Sequence, residues 1–528
     1  MRMDGRPPRK LREAAAIRGF AGLAGVVVLS GVLGCASPSA PEDAVPDASQ
    51  SADACTVCDV AQPPGDVSSG VEDGGGSEGP TGLPVVNRGD PAAAARGARI
   101  FFEDWPGQGL IPELALRHLY LVWTDNLLDV YGYYTNADRY WADFRLRYGM
   151  HEAPDGGLPL GLRSTGDGKA TVTCLICHAG RSPDGAVVIG LPNADLDLQG
   201  FYDELWRLPA AFEALKARDL PQPYKGLVAG IPVPPLPAPI PGMTDRTGAP
   251  GATDAMGLGI QFGAIALGKD PSEIQTRFGF QNPSAWWTVA LKPRRYWDGS
   301  VPFGGHRTMM ATLLGVGLSA EQLLAVEPRF DDVEQYLTTI APPAWPFEPP
   351  GDVSAGRAVF REHCSECHGV YEGEERSYPA RVVPVAELGT DPLRAERFGA
   401  DEAAVANGLI MDPEHRMTPT GGYLAPPLTA VWATAPYLHN GAVPDVASVL
   451  DSASRPARWR RTGDYDSQRL GLAYEPVEGD GATELPTELL DRRTVETGVP
   501  GLSRGGHLYG DSLTAEERAA VLDYLKTL

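Results

Sequence analysis

Gly356-Arg357-Ala358-Val359-Phe360-Arg361-Glu362-His363-Cys364-Ser365-Glu366-Cys367-His368 holds the reading on which the fold turns. It starts as a helix and ends as Cys-x-x-Cys-His. In that pentapeptide two thiols one turn apart reach the two vinyl groups of a haem as thioethers, and the adjacent imidazole is placed under the iron. The same order recurs upstream as Gly97-Ala98-Arg99-Ile100-Phe101 and, after a long insertion, Cys174-Leu175-Ile176-Cys177-His178. A redox dithiol would not need the histidine in both copies, and zinc would need a second ligand pair nearby. Two covalently bound haem c groups are therefore expected, one on Cys174, Cys177 and His178 and one on Cys364, Cys367 and His368.

Working outward, Val333-Glu334-Gln335-Tyr336-Leu337 matches Val521-Leu522-Asp523-Tyr524-Leu525, with apolar residues at the spacing of a helix packed on a core. Thr514 and Glu517 form a capping-box pattern ahead of the second copy. Each repeat thus opens with a Gly-x-x-x-Phe helix and closes with a Val-x-x-Tyr-Leu helix. Between the repeats Pro342, Pro343, Pro346, Pro349 and Pro350 make a stretch that no helix crosses. The expected fold is mainly α: two cytochrome c-like helical domains, 89–341 and 351–528, joined by a Pro-rich linker at 342–350. The first carries a large loop-rich insertion that walls its haem, and Pro221 to Pro241 reads as an extended surface loop.

The N-terminus is an export signal, with Arg2, Arg6, Arg9, Lys10, Arg12 and Arg18 ahead of a short apolar run. Val32-Leu33-Gly34-Cys35 resembles a lipobox, so 1–34 is expected to be cleaved and Cys35 to carry lipid in the periplasm or cell envelope. Residues 35–88 are Ser-, Ala-, Pro-, Asp- and Gly-rich and read as a disordered tether. Cys55-Thr56-Val57-Cys58 lies inside it, lacks a following histidine and is expected to form a local disulfide. With 45 Lys and Arg against 68 Asp and Glu, a net charge of −23 in 528 residues, nucleic-acid binding is not expected.

A second protein ligand makes an electron-transfer haem, whereas an open iron face binds peroxide or dioxygen. For the second haem the candidates are His507, in the glycine-rich Gly505-Gly506-His507-Leu508-Tyr509-Gly510, and His439. Met411, Met417 and His415 have less to recommend them, and His363 adjoins Cys364 too closely to reach the opposite face. In the first unit Met150, His151, His306, Met309 and Met310 can ligate iron but sit in no segment that points to it, so an open site is expected. Asn282 to Phe303 is rich in rings, with Trp286, Trp287, Tyr296, Trp297 and Phe303, which suit a distal pocket or an electron path. Lys292, Arg294 and Arg295 suit the haem propionates.

The two haem motifs, with Ala435-Pro436-Tyr437-Leu438-His439-Asn440-Gly441 followed by Val443-Pro444, make residues 89–528 resemble the di-haem superfamily of bacterial cytochrome c peroxidases, the MauG-type maturation enzyme and the secreted rubber oxygenases. In the peroxidases a Met ligand follows that histidine; here its position is Ala453. The ligand pattern is closer to the rubber oxygenases, whose C-terminal haem is bis-histidine, and the resemblance then implies His507 as the second ligand. It also implies an open N-terminal haem beside Trp287 and Phe303. The resemblance points to an oxidoreductase whose first haem activates peroxide or dioxygen and whose second transfers electrons from a small redox protein or a quinol-linked donor. The alternative is a di-haem electron-transfer lipoprotein without catalysis. The chain departs from the rubber oxygenases in being shorter and in carrying a lipid-anchor motif.

Overall fold

The computed structural model describes residues 83–87, 89–222, 224–233, 236, 250–266, 279–314, 318–409, 411–478 and 493–528. The export signal, Cys35 and the Cys55/Cys58 pair lie outside the described residues. Within them no helix is long and apolar enough to cross a membrane.

Six helices carry the framework: α1 (Pro91–Phe102), α2 (Ala137–Tyr148), α3 (Leu198–Lys216), α4 (Ala320–Leu337), α5 (Ser354–His363) and α6 (Ala515–Leu525). Helix α1 starts where the Asp90 carboxylate accepts the Ala93 N–H at 2.6 Å and Pro91 takes the first helical position. Both closing helices have reciprocal capping boxes, Ser319 with Gln322 before α4 and Thr514 with Glu517 before α6.

The repeated glycines explain the repeated contacts. Gly97 packs α1 onto α4 so closely that a Cβ there would strike the Asp332 carbonyl; Gly356 packs α5 onto α6, where a Cβ would strike the Ala520 carbonyl. One turn on, Phe101 lies 5.7 Å from Tyr336 and Phe360 lies 5.2 Å from Tyr524, ring centre to ring centre. Backbone contact thus replaces side-chain packing at the same point of each helix pair.

The insertion before the first haem motif builds a core together with α3, which follows the motif: Tyr120, Phe144 and Tyr148 pack against Phe201. Glu204 is buried there, but Arg147 donates to both its oxygens at 2.7 Å and the Tyr148 hydroxyl adds a third hydrogen bond at 2.7 Å. The buried carboxylate is thereby fully compensated. Among the described residues the helices are accompanied by five small sheets. In one of these, β1 (Arg458–Asp466) lies between β2 (Gly471–Pro476) and β3 (Thr494–Glu496), both antiparallel to it.

The two halves share a core in which Leu191, Trp287 and Leu291 meet Phe360, Trp432 and Tyr524. The Pro-rich stretch forms neither helix nor strand but is docked: Trp345 meets Trp432 edge-on at 5.2 Å. The tether expected to run to 88 is anchored earlier, because Leu83 is buried in the shared core and the Asn87 amide donates to the Val289 and Lys292 carbonyls. Tyr224–Gly230 is helical, although an extended loop was expected across it. Pro221 and Pro223 precede the helix and the denser prolines from Pro232 follow it, so Lys225 to Gly230 keep their backbone donors.

Candidate functional site

The first haem motif ends in a single turn, Leu175–His178. Cys174, Cys177 and His178 line a cavity of about 420 Å³ whose wall is mostly apolar and aromatic, with Trp105, Trp206, Trp286, Trp297 and Phe303. The His178 ring stacks on Trp286, centres 4.7 Å apart and planes 24° apart. Burial drives the His178 imidazole down to about 3, so it is neutral, as a metal ligand must be. Burial also pushes the Cys174 and Cys177 thiols up to about 12. Redox dithiols and thiolate metal ligands need the opposite shift, whereas thiols held together in an apolar cavity fit thioether attachment.

Trp286 and Trp287 sit on one 3₁₀ turn, and adjacent residues of such a turn face different ways. Trp286 lines the cavity. Trp287 instead belongs to the core shared with the second half, where its Nε1 donates to the Thr429 carbonyl at 2.9 Å. Phe303 does line the cavity, with the Arg295 guanidinium 5.5 Å from its ring centre. Lys292, Arg294 and Arg295 lie in the same wall. Burial lowers Lys292 to about 8 and Arg295 to about 10; Arg295 is paired with Glu334 behind the wall, and an anion seated in the cavity would relieve the cost at Lys292. Of the distal-ligand candidates only Met309 lines the cavity, and its sulfur is engaged by Arg295 Nη1 at 3.1 Å. Met150, His151, His306 and Met310 do not line it. Among the described residues, His178 is the sole imidazole in that wall.

The second motif ends in the turn Ser365–His368. His368 Nδ1 lies 2.8 Å from the Pro426 carbonyl, which can only accept, so Nδ1 carries the proton and Nε2 is left with its lone pair. The ring facing it is His507, centre to centre 6.2 Å. Two metal–imidazole bonds of about 2 Å, each with roughly 1 Å more to the ring centre, place ligand rings on opposite sides of one iron about 6 Å apart. The pair therefore has the spacing of a bis-histidine site. Burial lowers both imidazoles, His507 to about 4. His439 is placed elsewhere: it is buried, stacked on Tyr423 at 4.1 Å, and held down to about 3 by burial and by the nearby Arg394.

The loop that delivers His507 is fixed by a residue that pattern reading missed. Arg455, itself buried, donates to five carbonyls: Ser448, Val449, Arg504, Gly506 and His507, at 2.6–3.1 Å. The His507 N–H donates to the Leu388 carbonyl at 2.8 Å. Gly506, at φ +75°, lies so near the backbone nitrogen of Thr390 that no side chain fits. An isolated arginine in a loop gives no sequence signal for such a clamp. Pro426 and α3 were equally silent, since each acts through a tertiary contact.

A thiol pair and a neutral imidazole in an apolar cavity, repeated against a second imidazole in the other half, make a site of the c-type cytochrome class. The sequence profile of a family described as "RoxA-like, cytochrome c-like" matches residues 422–460, the stretch containing Tyr423, His439 and Trp459. The match supports a rubber-oxygenase-like cytochrome c relationship, and with it covalent haem c and a haem-linked oxidoreductase. Two curated proteins of Sinorhizobium fredii (strain NBRC 101917 / NGR234) are also similar. "Uncharacterized protein y4iJ" is 26% identical over 278 residues, covering 39% of this chain and 44% of its own length. "Uncharacterized protein y4iM" is 28% identical over 286 residues, covering 46% and 63%. The chain thus matches less than two thirds of either relative.

Proposed function

We propose that this chain is a di-haem c-type oxidoreductase in which the haem on Cys174, Cys177 and His178 activates peroxide or dioxygen and the haem on Cys364, Cys367 and His368 relays electrons. The observation that carries the reading is the asymmetry of the two imidazoles: His368 faces His507 at ligand spacing, while His178 faces a cavity wall of rings and cations. A haem with one open axial position supplies oxidant binding, and one with two histidines supplies electron transfer at a lower potential than His/Met ligation.

The residues' own tasks follow from their positions. Trp286, stacked on His178, and Trp287, in the core against the second half, are neighbours in the chain and make a short aromatic path between the halves. Phe303 and the other rings keep water out of the first cavity, which strengthens every electrostatic contact inside it. Lys292 and Arg295 hold carboxylates there. The same proposal includes an exported, lipid-anchored chain served by a small redox protein or a quinol-linked donor, with export and anchoring resting on the sequence of 1–35.

The rival reading, a non-catalytic electron carrier, is favoured by one observation: Met309 lines the first cavity and offers a thioether. Adding cyanide or peroxide to the purified oxidised protein separates the two. A change in the absorption of one haem of the two is expected; two haems indifferent to both reagents would replace the enzyme by the carrier.

A further inference from the structure

Behind the wall that carries Arg295 and Phe303 runs a string of ionisable groups that neither iron ligation nor attachment uses. Glu334, 3% exposed, pairs with Arg295, and its Oε1 accepts the Gly304 N–H at 3.0 Å. His306, 9% exposed, has Nδ1 3.6 Å from Glu334 Oε2 and 3.2 Å from Asp331 Oδ1. Asp331 is 60% exposed. Ionisable groups thus stand side by side from the exposed Asp331 through His306 and Glu334 to a guanidinium in the cavity wall.

Charged groups approach His306 from several elements. Helix α4 supplies Glu327, 3.4 Å from Nε2, as well as Asp331 and Glu334. Arg295 comes from the strand Arg294–Arg295, and Arg307, the first residue of the helix that follows His306, pairs with Glu327. His415, held by Asp412, lies over Gly304. Burial and Arg295 disfavour a proton on His306, while Asp331 and Glu327 favour one. The charge of the ring is therefore set by a balance of opposing neighbours, and a new charge in the adjacent cavity can tip it. Because Glu334 and Arg295 are buried, a charge change there is screened far less than at the surface.

We propose that His306 is a redox-linked proton site for the first haem: when one electron enters the cavity, one proton passes from water by way of Asp331 to the His306 ring. The electron would come from an external one-electron donor and take a haem iron held there from ferric to ferrous, and a hydronium ion of bulk solvent would give up the proton and leave water. The inference rests on the proposed haem at Cys174, Cys177 and His178.

Spectroelectrochemical titration of the full-length holoprotein over a series of pH values tests it. Because reduction takes up a proton, the first haem's affinity for an electron falls as pH rises, by up to tenfold per pH unit. His306→Gln removes this dependence from the first haem and leaves the second haem's potential unchanged. Asp331→Asn, at the exposed end, deletes a carboxylate that favours protonation and moves the sloping region to lower pH. An equal slope in His306→Gln overturns the proposal, as does an unmoved slope in Asp331→Asn should His306→Gln not fold. A missing first-haem wave defeats the haem assignment itself, whereas a wave with unaltered slope defeats only the proton site.

Discussion

The two haem motifs sit in halves built on the same helix pair, yet they are finished in different ways. In the second half the chain spends a loop on a second imidazole: Arg455 gathers five carbonyls, Gly506 lets the backbone approach Thr390, and His507 comes to rest 6.2 Å from His368. In the first half the corresponding effort goes into walls. The insertion, α3 and the 282–303 segment surround His178 with Trp105, Trp206, Trp286 and Phe303 and, among the described residues, bring no second imidazole. A repeated scaffold can thus diverge by what is added opposite the shared histidine, a supporting loop in one case and an enclosed space in the other.

The largest expected effect breaks the comparison at its root. Replacing Cys364 and Cys367 together by serine should halve the covalent haem measured by pyridine haemochrome after acid-acetone extraction, and replacing Cys174 and Cys177 should do the same. Full haem content in either variant would remove that motif from the scheme. Next, His507→Ala should turn the second haem from low-spin to high-spin and let it bind cyanide, making the two sites alike; the equivalent change at His439 should leave the spin state intact. If only His439→Ala alters the spin state, the ligand pairing is wrong.

Smaller effects sharpen the likeness of the two scaffolds. Gly97→Ala and Gly356→Ala each force a Cβ against a carbonyl of the partner helix. Each should lower stability by about 1–3 kcal/mol in denaturant unfolding, and a harmless substitution at either would show that its helix crossing is looser. The smallest effect is a pH dependence of stability shared by both halves. His151 in the first half and His439 in the second are lowered by burial from 6.5 to about 4 and about 3. Below 6.5 the unfolded chain takes up protons that the folded chain refuses. Stability is therefore complete above that pH and declines as pH falls, with the His151 share spent near 4 and the His439 share continuing lower. His151→Gln should reduce the slope between 6.5 and 4; an unchanged slope would show that His151 is not held neutral.

What could be read without the structure was whatever a local pattern encodes. Gly97 and Gly356 announced the two helix pairs because close crossings demand glycine at a fixed distance from the packing Phe. The Thr514/Glu517 cap was equally visible, being completed within one turn. His507 stood out through the glycines around it, but choosing between it and His439 required knowing which ring meets His368, a contact across well over a hundred residues. Trp286 and Trp287 were indistinguishable because neighbours on a tight turn differ in direction and not in composition. Arg455 and Pro426 act only through backbone groups brought to them by the fold, and Leu83 and Asn87 looked like tether because their partners lie some two hundred residues or more further along the chain.

Low-temperature EPR of the oxidised, full-length protein bears most directly on the difference between the two sites. One low-spin signal from an iron between two imidazoles, beside one high-spin signal from an iron with an open face, is the predicted spectrum. Two low-spin signals, with no high-spin iron even after reduction and reoxidation, would contradict it.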